Sequence, residues 1–209
     1  LAAFTQGICR EFIARTRRLY PNADCLVLKS PELTQFFPLL AGWFPACRFV
    51  VTLRDPRDAV ASMVEVSRKA RAEGQRSQIA DHGRDIKRHC GTFMSAYAPL
   101  TENRERLADR LLLVRYEDLV RDRGVIATLS GFTGLGLTVE TAAADANAAD
   151  IRSLEARKAS AFSAPYYAPL WAEGVTDSRV GRFRDYLAEA EIAEIEHQCA
   201  SFGKAFGYW

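Results

Sequence analysis

The chain has 209 residues, of which 48% are hydrophobic and 26% charged, a composition typical of a globular domain. The formal net charge is only +2, so the field of the whole molecule gives no reason to expect a nucleic acid or an anionic membrane as partner. The five cysteines and three histidines lack the spacings of a disulfide framework or a zinc site, so we expect neither.

The first part of the chain predicts a helix, a strand and a second helix. Apolar residues recur at helical spacing from the very start: Phe4, Ile8, Phe12 and Ile13. Because this pattern begins at Leu1 and not at a methionine, we expect further residues upstream. Cys25–Leu28 is a short apolar run that predicts a strand buried on both faces, and Pro38 favours a helix that begins near it.

A second apolar run, Phe49–Leu53, predicts a second buried strand, directly followed by a helix start. Asp55 suits the N-cap position and Pro56 the first helical position. We expect the following helix to bury one stripe of side chains: Val60, Met63 and Val64.

The rest of the chain continues the alternation of strands and helices. Leu111–Val114 predicts a third strand, and helices are expected at about Asp81–Asn103 and Glu189–Phe206. Another helix is expected from Val125 through Phe132, ending near Gly134 and Gly136. Ser153–Gly181 is rich in aromatic residues without a sustained period, which is typical of a lid or binding loop. This order of elements predicts an α/β fold, a three-layer sandwich with a central parallel sheet.

The end of the second strand has the features of an anion site. Arg54 is the first residue beyond the strand, where ligands of parallel sheets bind, and a helix N-terminus begins there. Ser62 lies on the helix face opposite the buried stripe, so a guanidinium and a hydroxyl could converge on a phosphate. The residues alone leave an alternative: Arg54 and Arg57 pair with Asp55 and Asp58, and Ser62 is merely solvated.

Four segments resemble the sulfotransferase family, and they occur in the family's order from about Asp24 to the C-terminus: Leu28–Pro31, Phe44–Met63, Arg115–Val120 and Gly181–Leu187 with Phe206–Tyr208. The resemblance implies a P-loop-like sandwich in one domain, residues 1–209. It also implies 3′-phosphoadenosine 5′-phosphosulfate as co-substrate, and sulfuryl transfer to a hydroxyl or amine of a small or macromolecular acceptor without a metal.

The resemblance also implies roles for single residues. Arg54 and Ser62 match the pair that binds the 3′-phosphate. Tyr116 matches a position near the adenine, and Lys29 matches a lysine near the transferred sulfuryl group. The structural alternatives are a surface charge for Lys29 and a packed aromatic ring for Tyr116.

Two departures from the family concern the reacting end of the nucleotide. The loop that cradles the 5′-phosphosulfate does not occur in this sequence, so we expect an N-terminally truncated fragment, which alone need not be active. Pro31 stands where cytosolic members carry a catalytic histidine. Glu32 is the candidate base, although an acid that begins a helix is commonly solvent-facing; His82 and His89 have weaker support.

A third departure lies near the C-terminus, where Thr176–Ser178 replaces an Arg-Lys-Gly group of cytosolic members. Two nearby arginines could take over its phosphate contacts, with Arg182 preferred and Arg179 second.

Two other functions stay open at this point. A P-loop kinase-like phosphotransferase would share the sheet, but its Walker motif does not occur in the chain. A nucleotide-binding remnant or interaction domain without activity is the non-enzymatic reading. No apolar stretch has transmembrane length and no signal peptide is visible. A cytoplasmic location is favoured, but it stays open, because the residues expected upstream of Leu1 could carry a targeting signal.

Overall fold

A computed structural model of the chain describes residues 2–30, 33–138 and 177–209. Internal contacts divide the chain into two units, Leu1–Cys47 and Arg48–Trp209, and each is described by itself. None of the described helices is both long enough and apolar enough to cross a membrane.

The first unit contains two helices, both predicted from the sequence. Helix α1 spans Ala2–Leu19, and a salt bridge of 2.7 Å between Arg15 and Glu11 links successive turns of it. A 3₁₀ turn at Leu33–Phe36 leads into α2, Phe37–Trp43, which has its proline in the first turn, as expected.

The predicted strand at Cys25–Leu28 is wrong. These residues have irregular backbone, and Val27 and Leu28 are 71% and 57% exposed. An apolar run becomes a buried strand only where a neighbouring strand pairs with its backbone. The described part of the chain provides this segment with no such strand.

The second unit is built on a parallel pair of strands. Strand β1, Phe49–Leu53, pairs with β2, Leu111–Arg115, in a register that places Phe49 opposite Leu111 and Leu53 opposite Arg115. Both predicted strands and their parallel direction are confirmed. The sheet has two strands within the described residues, so the α/β class holds while the three-layer sandwich stays a prediction.

Burial along β1 alternates, which corrects the expectation of a strand covered on both faces. Phe49, Val51 and Leu53 are buried, whereas Val50 is 40% exposed. In the described residues only one face of this strand packs into the core.

Helix α3, Pro56–Ala72, begins as predicted. The Asp55 carboxylate caps it by accepting from the backbone N–H of Arg57 at 2.9 Å. Val60 and Val64 are buried as expected, while Met63 is only partly covered. The opposite side of α3, which carries Ser62, is therefore not committed to the core.

The predicted helix at Asp81–Asn103 is two helices, α4 at Gln78–His82 and α5 at Ile86–Asn103. Gly83 ends the first with a φ of +59°, in the left-handed region that favours glycine. Asp85 caps the second by accepting from the N–H of Arg88 at 3.1 Å. Helix α5 packs on α3, and one of its faces is buried: Ile86, Cys90, Phe93 and Leu100.

Two helices follow β2: α6, Tyr116–Arg121, and α7, Gly124–Thr133. Gly134 ends α7 in the left-handed conformation, as the glycines there predicted. Helix α6 begins at the residue after β2, so its first side chain lies at the carboxyl edge of the sheet.

The C-terminal part contains α8, Phe183–Tyr186, α9, Glu189–Gln198, and α10, Ala200–Phe206. The single predicted helix Glu189–Phe206 is therefore divided at Cys199. Apolar side chains of this segment are buried near the division: Ile195, Cys199 and Phe202. Most of the predicted loop Ser153–Gly181 lies outside the described residues, which resume at Asp177.

Candidate functional site

Arg54 stands at the carboxyl edge of the sheet, as predicted. Its Nη2 donates to the backbone carbonyl of Arg179 at 3.1 Å, and its guanidinium lies 4.9 Å from the centre of the Tyr116 ring. Its Nε is buried and has no hydrogen-bond partner in the described structure. Buried polar groups normally have partners, so this nitrogen marks Arg54 as a donor that a ligand could satisfy.

An open cleft adjoins Arg54. Four of the predicted cofactor-binding residues line it together: Arg54, Ser62, Arg179 and Arg182. The fifth, Tyr116, contacts the Arg54 guanidinium. The structure therefore brings the predicted nucleotide residues to one place.

One face of α3 forms a wall of the cleft through residues spaced by three and four positions: Asp58, Ala61, Ser62 and Glu65. Side chains at this spacing share a helix face. Asp58 and Glu65 did not appear among the site residues expected from the sequence. Their spacing from Ser62 was the signal that would have identified them.

Asp58 is 3% exposed and binds backbone on the opposite wall. Its two carboxylate oxygens accept from the N–H of Gly181 at 2.7 Å and of Phe183 at 2.9 Å. Burial raises the pKa of the Asp58 carboxyl above its usual value, although these N–H groups and the Arg54 charge oppose the shift. The acid of the first helical turn thus faces the cleft wall and not solvent.

Glu65 holds the arginines of the opposite wall. Its carboxylate lies 3.3 Å from Nη1 of Arg179, 3.8 Å from Nη1 of Arg182 and 3.1 Å from Nζ of Lys69. Burial alone would raise the pKa of Glu65, but the Lys69 hydrogen bond and the three positive charges hold it below its usual value. Glu65 is therefore ionised at neutral pH.

Arg182 has a second partner in the cleft wall. Its Nη2 donates to the hydroxyl of Tyr186 at 2.9 Å, and its guanidinium lies 4.7 Å from the centre of that ring. Arg54, by contrast, forms no salt bridge with any residue that the structure describes. Arg179 and Arg182 share Glu65 as a salt-bridge partner.

The alternative interpretation of the Arg54–Asp58 segment is half right. Arg57 does pair with Asp55, at 2.7 Å, and its other end binds Glu196 at 2.7 Å. Asp58, however, binds backbone N–H groups on the opposite wall. The two arginines therefore have separate tasks: Arg57 joins α3 to α9, and Arg54 faces the cleft.

Three of the candidate catalytic residues lie in the described part of the chain: Lys29, His82 and His89. Lys29 is exposed on irregular backbone of the first unit. Glu32 lies outside the described residues. His82 and His89 stand against each other with ring centres 5.2 Å apart, and neither lines the cleft. Among the residues described, no three His, Cys, Asp or Glu side chains cluster closely enough to hold a metal ion.

A parallel strand pair and a helix N-terminus beside a cleft with three arginines define a protein of the α/β class whose candidate site lies at the carboxyl edge of the sheet. A model of the sulfotransferase family matches residues 1–138. The chain belongs to the sulfotransferase family. The matched region includes Arg54, Ser62 and Tyr116, whereas Arg179 and Arg182 lie beyond it.

Over 118 residues the chain is 38% identical to carbohydrate sulfotransferase 5 of Mus musculus. The aligned region covers 51% of this chain and 30% of that protein, so the chain corresponds to less than a third of the relative's length. No solved structure matches the chain.

Proposed function

We propose that this protein binds 3′-phosphoadenosine 5′-phosphosulfate and transfers its sulfuryl group to a hydroxyl or amine acceptor. The observation that carries the proposal is the state of Arg54. This arginine directly follows β1, faces an open cleft and has a buried Nε without a partner among the described residues. A planar guanidinium in this state is suited to a phosphate, which offers several acceptor oxygens.

The other wall residues support a phosphate at this position. Ser62 lines the cleft and provides a hydroxyl donor, and Arg179 and Arg182 add positive charge. The three arginines exceed the two carboxylates, Asp58 and Glu65, and Asp58 is already bound to backbone N–H groups. The cleft therefore has a positive excess that favours an anion.

Tyr116 gives this phosphate site a neighbour suited to a nucleoside. Its ring follows β2 at the sheet edge and already stacks against the Arg54 guanidinium. An aromatic face next to the phosphate-binding arginine supports the proposal that the base of the nucleotide lies near Tyr116.

The bound co-substrate would supply the sulfuryl group. We assign Lys29 to stabilise the charge spread over the sulfuryl oxygens, and Glu32 to take the proton of the acceptor. The family resemblance supports the assignment of Lys29. Glu32 is assigned because it is the carboxylate next to Pro31, where cytosolic members carry their catalytic histidine. The scheme requires no metal, because arginine and lysine side chains supply the positive charge.

A carbohydrate hydroxyl is the acceptor that we propose first. The support is the name of the mouse relative, a carbohydrate sulfotransferase, with 38% identity over the aligned region. Turnover of the full-length protein with sugars, phenols and amines in parallel tests this choice. Faster turnover of phenols or amines than of every sugar would contradict it.

Equilibrium titration with adenosine 3′,5′-bisphosphate, the nucleotide left after transfer, tests the co-substrate. Arg54→Ala is expected to weaken binding about tenfold or more, because a charge-assisted contact is lost. Arg68→Ala is the matched control, since Arg68 lies exposed on the same helix outside the cleft. Equal affinity of Arg54→Ala and the native protein would refute the assignment.

Ligand preference and turnover of the full-length protein distinguish the proposed function from the two other functions. A kinase-like phosphotransferase would bind ATP with Mg²⁺ in preference to adenosine 3′,5′-bisphosphate. A remnant without activity would bind the bisphosphate but give no turnover with any acceptor. We expect preference for the bisphosphate together with turnover.

A further inference from the structure

The turn that carries Arg179 and Arg182 is fastened to the β1–α3 junction through its backbone. Asp58 accepts from the N–H groups of Gly181 and Phe183, and Arg54 donates to the carbonyl of Arg179 at 3.1 Å. These contacts join residues that are 123 to 125 positions apart in the chain. The two walls of the cleft are therefore connected by three hydrogen bonds from two side chains.

The backbone of the turn is shaped for this connection. Gly181 has a φ of +77°, a conformation that a side chain makes costly. The glycine lets the N–H groups of residues 181 and 183 point to one carboxylate. Because the connection uses only backbone groups of the turn, the guanidinium groups of Arg179 and Arg182 keep their own orientation toward the cleft.

We propose that Asp58 is a positioning residue that holds the Arg179–Phe183 turn against α3, so that Arg179 and Arg182 complete the anion site begun by Arg54 and Ser62. This inference rests on the proposed function, since the anion is the phosphate of the nucleotide. It adds a residue that does not itself contact the ligand. Asp58 acts on binding only through the two arginines.

A carboxylate is suited to this position where an amide is not. Ionised aspartate has two acceptor oxygens and can bind both N–H groups, whereas asparagine has one acceptor oxygen and an NH₂ group that only donates. In Asp58→Asn the amide NH₂ would therefore oppose one of the two backbone N–H groups. The variant changes few atoms but removes one of the three hydrogen bonds of the connection.

The test is a titration with adenosine 3′,5′-bisphosphate in the full-length protein. Asp58→Asn is expected to weaken binding about tenfold, the effect of a lost hydrogen bond to a charged group. Asp185→Asn removes the same charge from an exposed position of the adjoining helix and is expected to bind within about twofold of the native protein. Native affinity of folded Asp58→Asn would overturn the proposal.

A double-mutant cycle separates positioning from a general loss of structure. In an Arg179→Ala, Arg182→Ala background the Asp58→Asn change is expected to alter affinity by less than about twofold, because the groups that it positions are gone. An unchanged tenfold loss in that background would contradict the assignment.

Gly181→Ala gives a second route if Asp58→Asn does not fold. The added methyl group would strain the positive φ and meet Nη1 of Arg184, while Asp58 stays in place. We expect Gly181→Ala to lose about tenfold in affinity for the bisphosphate, and to lose less than about twofold when Arg179→Ala and Arg182→Ala are also present. Native affinity of Gly181→Ala would contradict the proposal. If the native protein itself does not bind the bisphosphate, the proposed function fails, whereas failure at Asp58 alone leaves it intact.

Discussion

Glu117 accepts a hydrogen bond from the backbone N–H of Asp55 at 2.9 Å, and so connects the helix that follows β2 to the start of the helix that follows β1. Its second oxygen accepts from the hydroxyl of Tyr208 at 3.2 Å. The carboxyl ends of the two strands are thus joined by a buried side chain as well as by the backbone pairing of β1 with β2. Arg54 directly precedes Asp55 in the chain and Tyr116 directly precedes Glu117, so the hydrogen bond between Asp55 and Glu117 adjoins the contact between Arg54 and Tyr116.

Removal of this carboxylate should destabilise the second unit. Glu117→Ala leaves the buried N–H of Asp55 without a partner, and we expect a loss of about 1–3 kcal/mol in the free energy of unfolding, measured by urea denaturation. Glu117→Gln keeps an acceptor for that N–H and should lose less. The adjacent Asp118 is exposed, so Asp118→Ala should change the free energy of unfolding by no more than about 0.5 kcal/mol.

Equal unfolding energies of Glu117→Ala and Asp118→Ala would contradict the role given to Glu117.

His89 should make stability depend on pH. It is 0% exposed, and its Nε2 lies 3.1 Å from the carbonyl of Gly83. Burial, together with the neighbouring His82, lowers the pKa of His89, although the Gly83 carbonyl and Asp85 oppose the shift. The folded state therefore binds this proton less readily than the unfolded chain does, where the pKa is about 6.5.

The contribution of His89 to stability is accordingly complete above the unfolded pKa and is lost as the pH falls below it, through the lower folded value. Unfolding free energies measured from pH 8 to pH 5 should decrease toward acid in the native protein and decrease less steeply in His89→Gln. His197 is exposed, so His197→Gln should keep the native slope. Identical slopes for His89→Gln and the native protein would disprove the prediction.

Lys29 should affect turnover and not nucleotide binding. If its ammonium stabilises charge that develops on the sulfuryl oxygens, Lys29→Ala lowers kcat about a hundredfold or more. Affinity for adenosine 3′,5′-bisphosphate, which lacks the sulfuryl group, should stay within about twofold. Lys204→Ala removes an exposed lysine of α10 and should leave both quantities unchanged. A loss of bisphosphate affinity with unchanged kcat would contradict the role of Lys29.

Local signals in the sequence predicted the Arg54–Ser62 side of the site well. The end of an apolar run, a capping aspartate and a proline lie within a few residues of one another, and each has a direct physical consequence for the backbone. The position of Ser62 on the free face of α3 then follows from helical spacing alone. The break at Gly83 was not predicted, but the sequence carries a signal for it, since a glycine followed by a capping residue such as Asp85 is typical of a helix boundary.

Contacts between distant segments could not be predicted in this way. Asp58 has the same local signal as any acid in a first helical turn, and its actual partners lie 123 and 125 residues away. The run Cys25–Leu28 has the composition of a strand, but composition does not say whether a neighbouring strand exists. Local sequence patterns therefore indicate where helices and strands can form. Strand pairing and long-range hydrogen bonds decide which apolar runs become strands and which partners a side chain such as Asp58 has.

If Arg54 binds the 3′-phosphate of the nucleotide, as we propose, the protein's selectivity for that group depends on Arg54. Affinities for adenosine 3′,5′-bisphosphate and adenosine 5′-monophosphate, which differ only in the 3′-phosphate, are compared by calorimetry in the native protein and in Arg54→Ala. The native protein should prefer the bisphosphate, and Arg54→Ala should reduce that preference about tenfold or more while affinity for the monophosphate changes little. An Arg54→Ala variant that keeps the native ratio of affinities would contradict the claim.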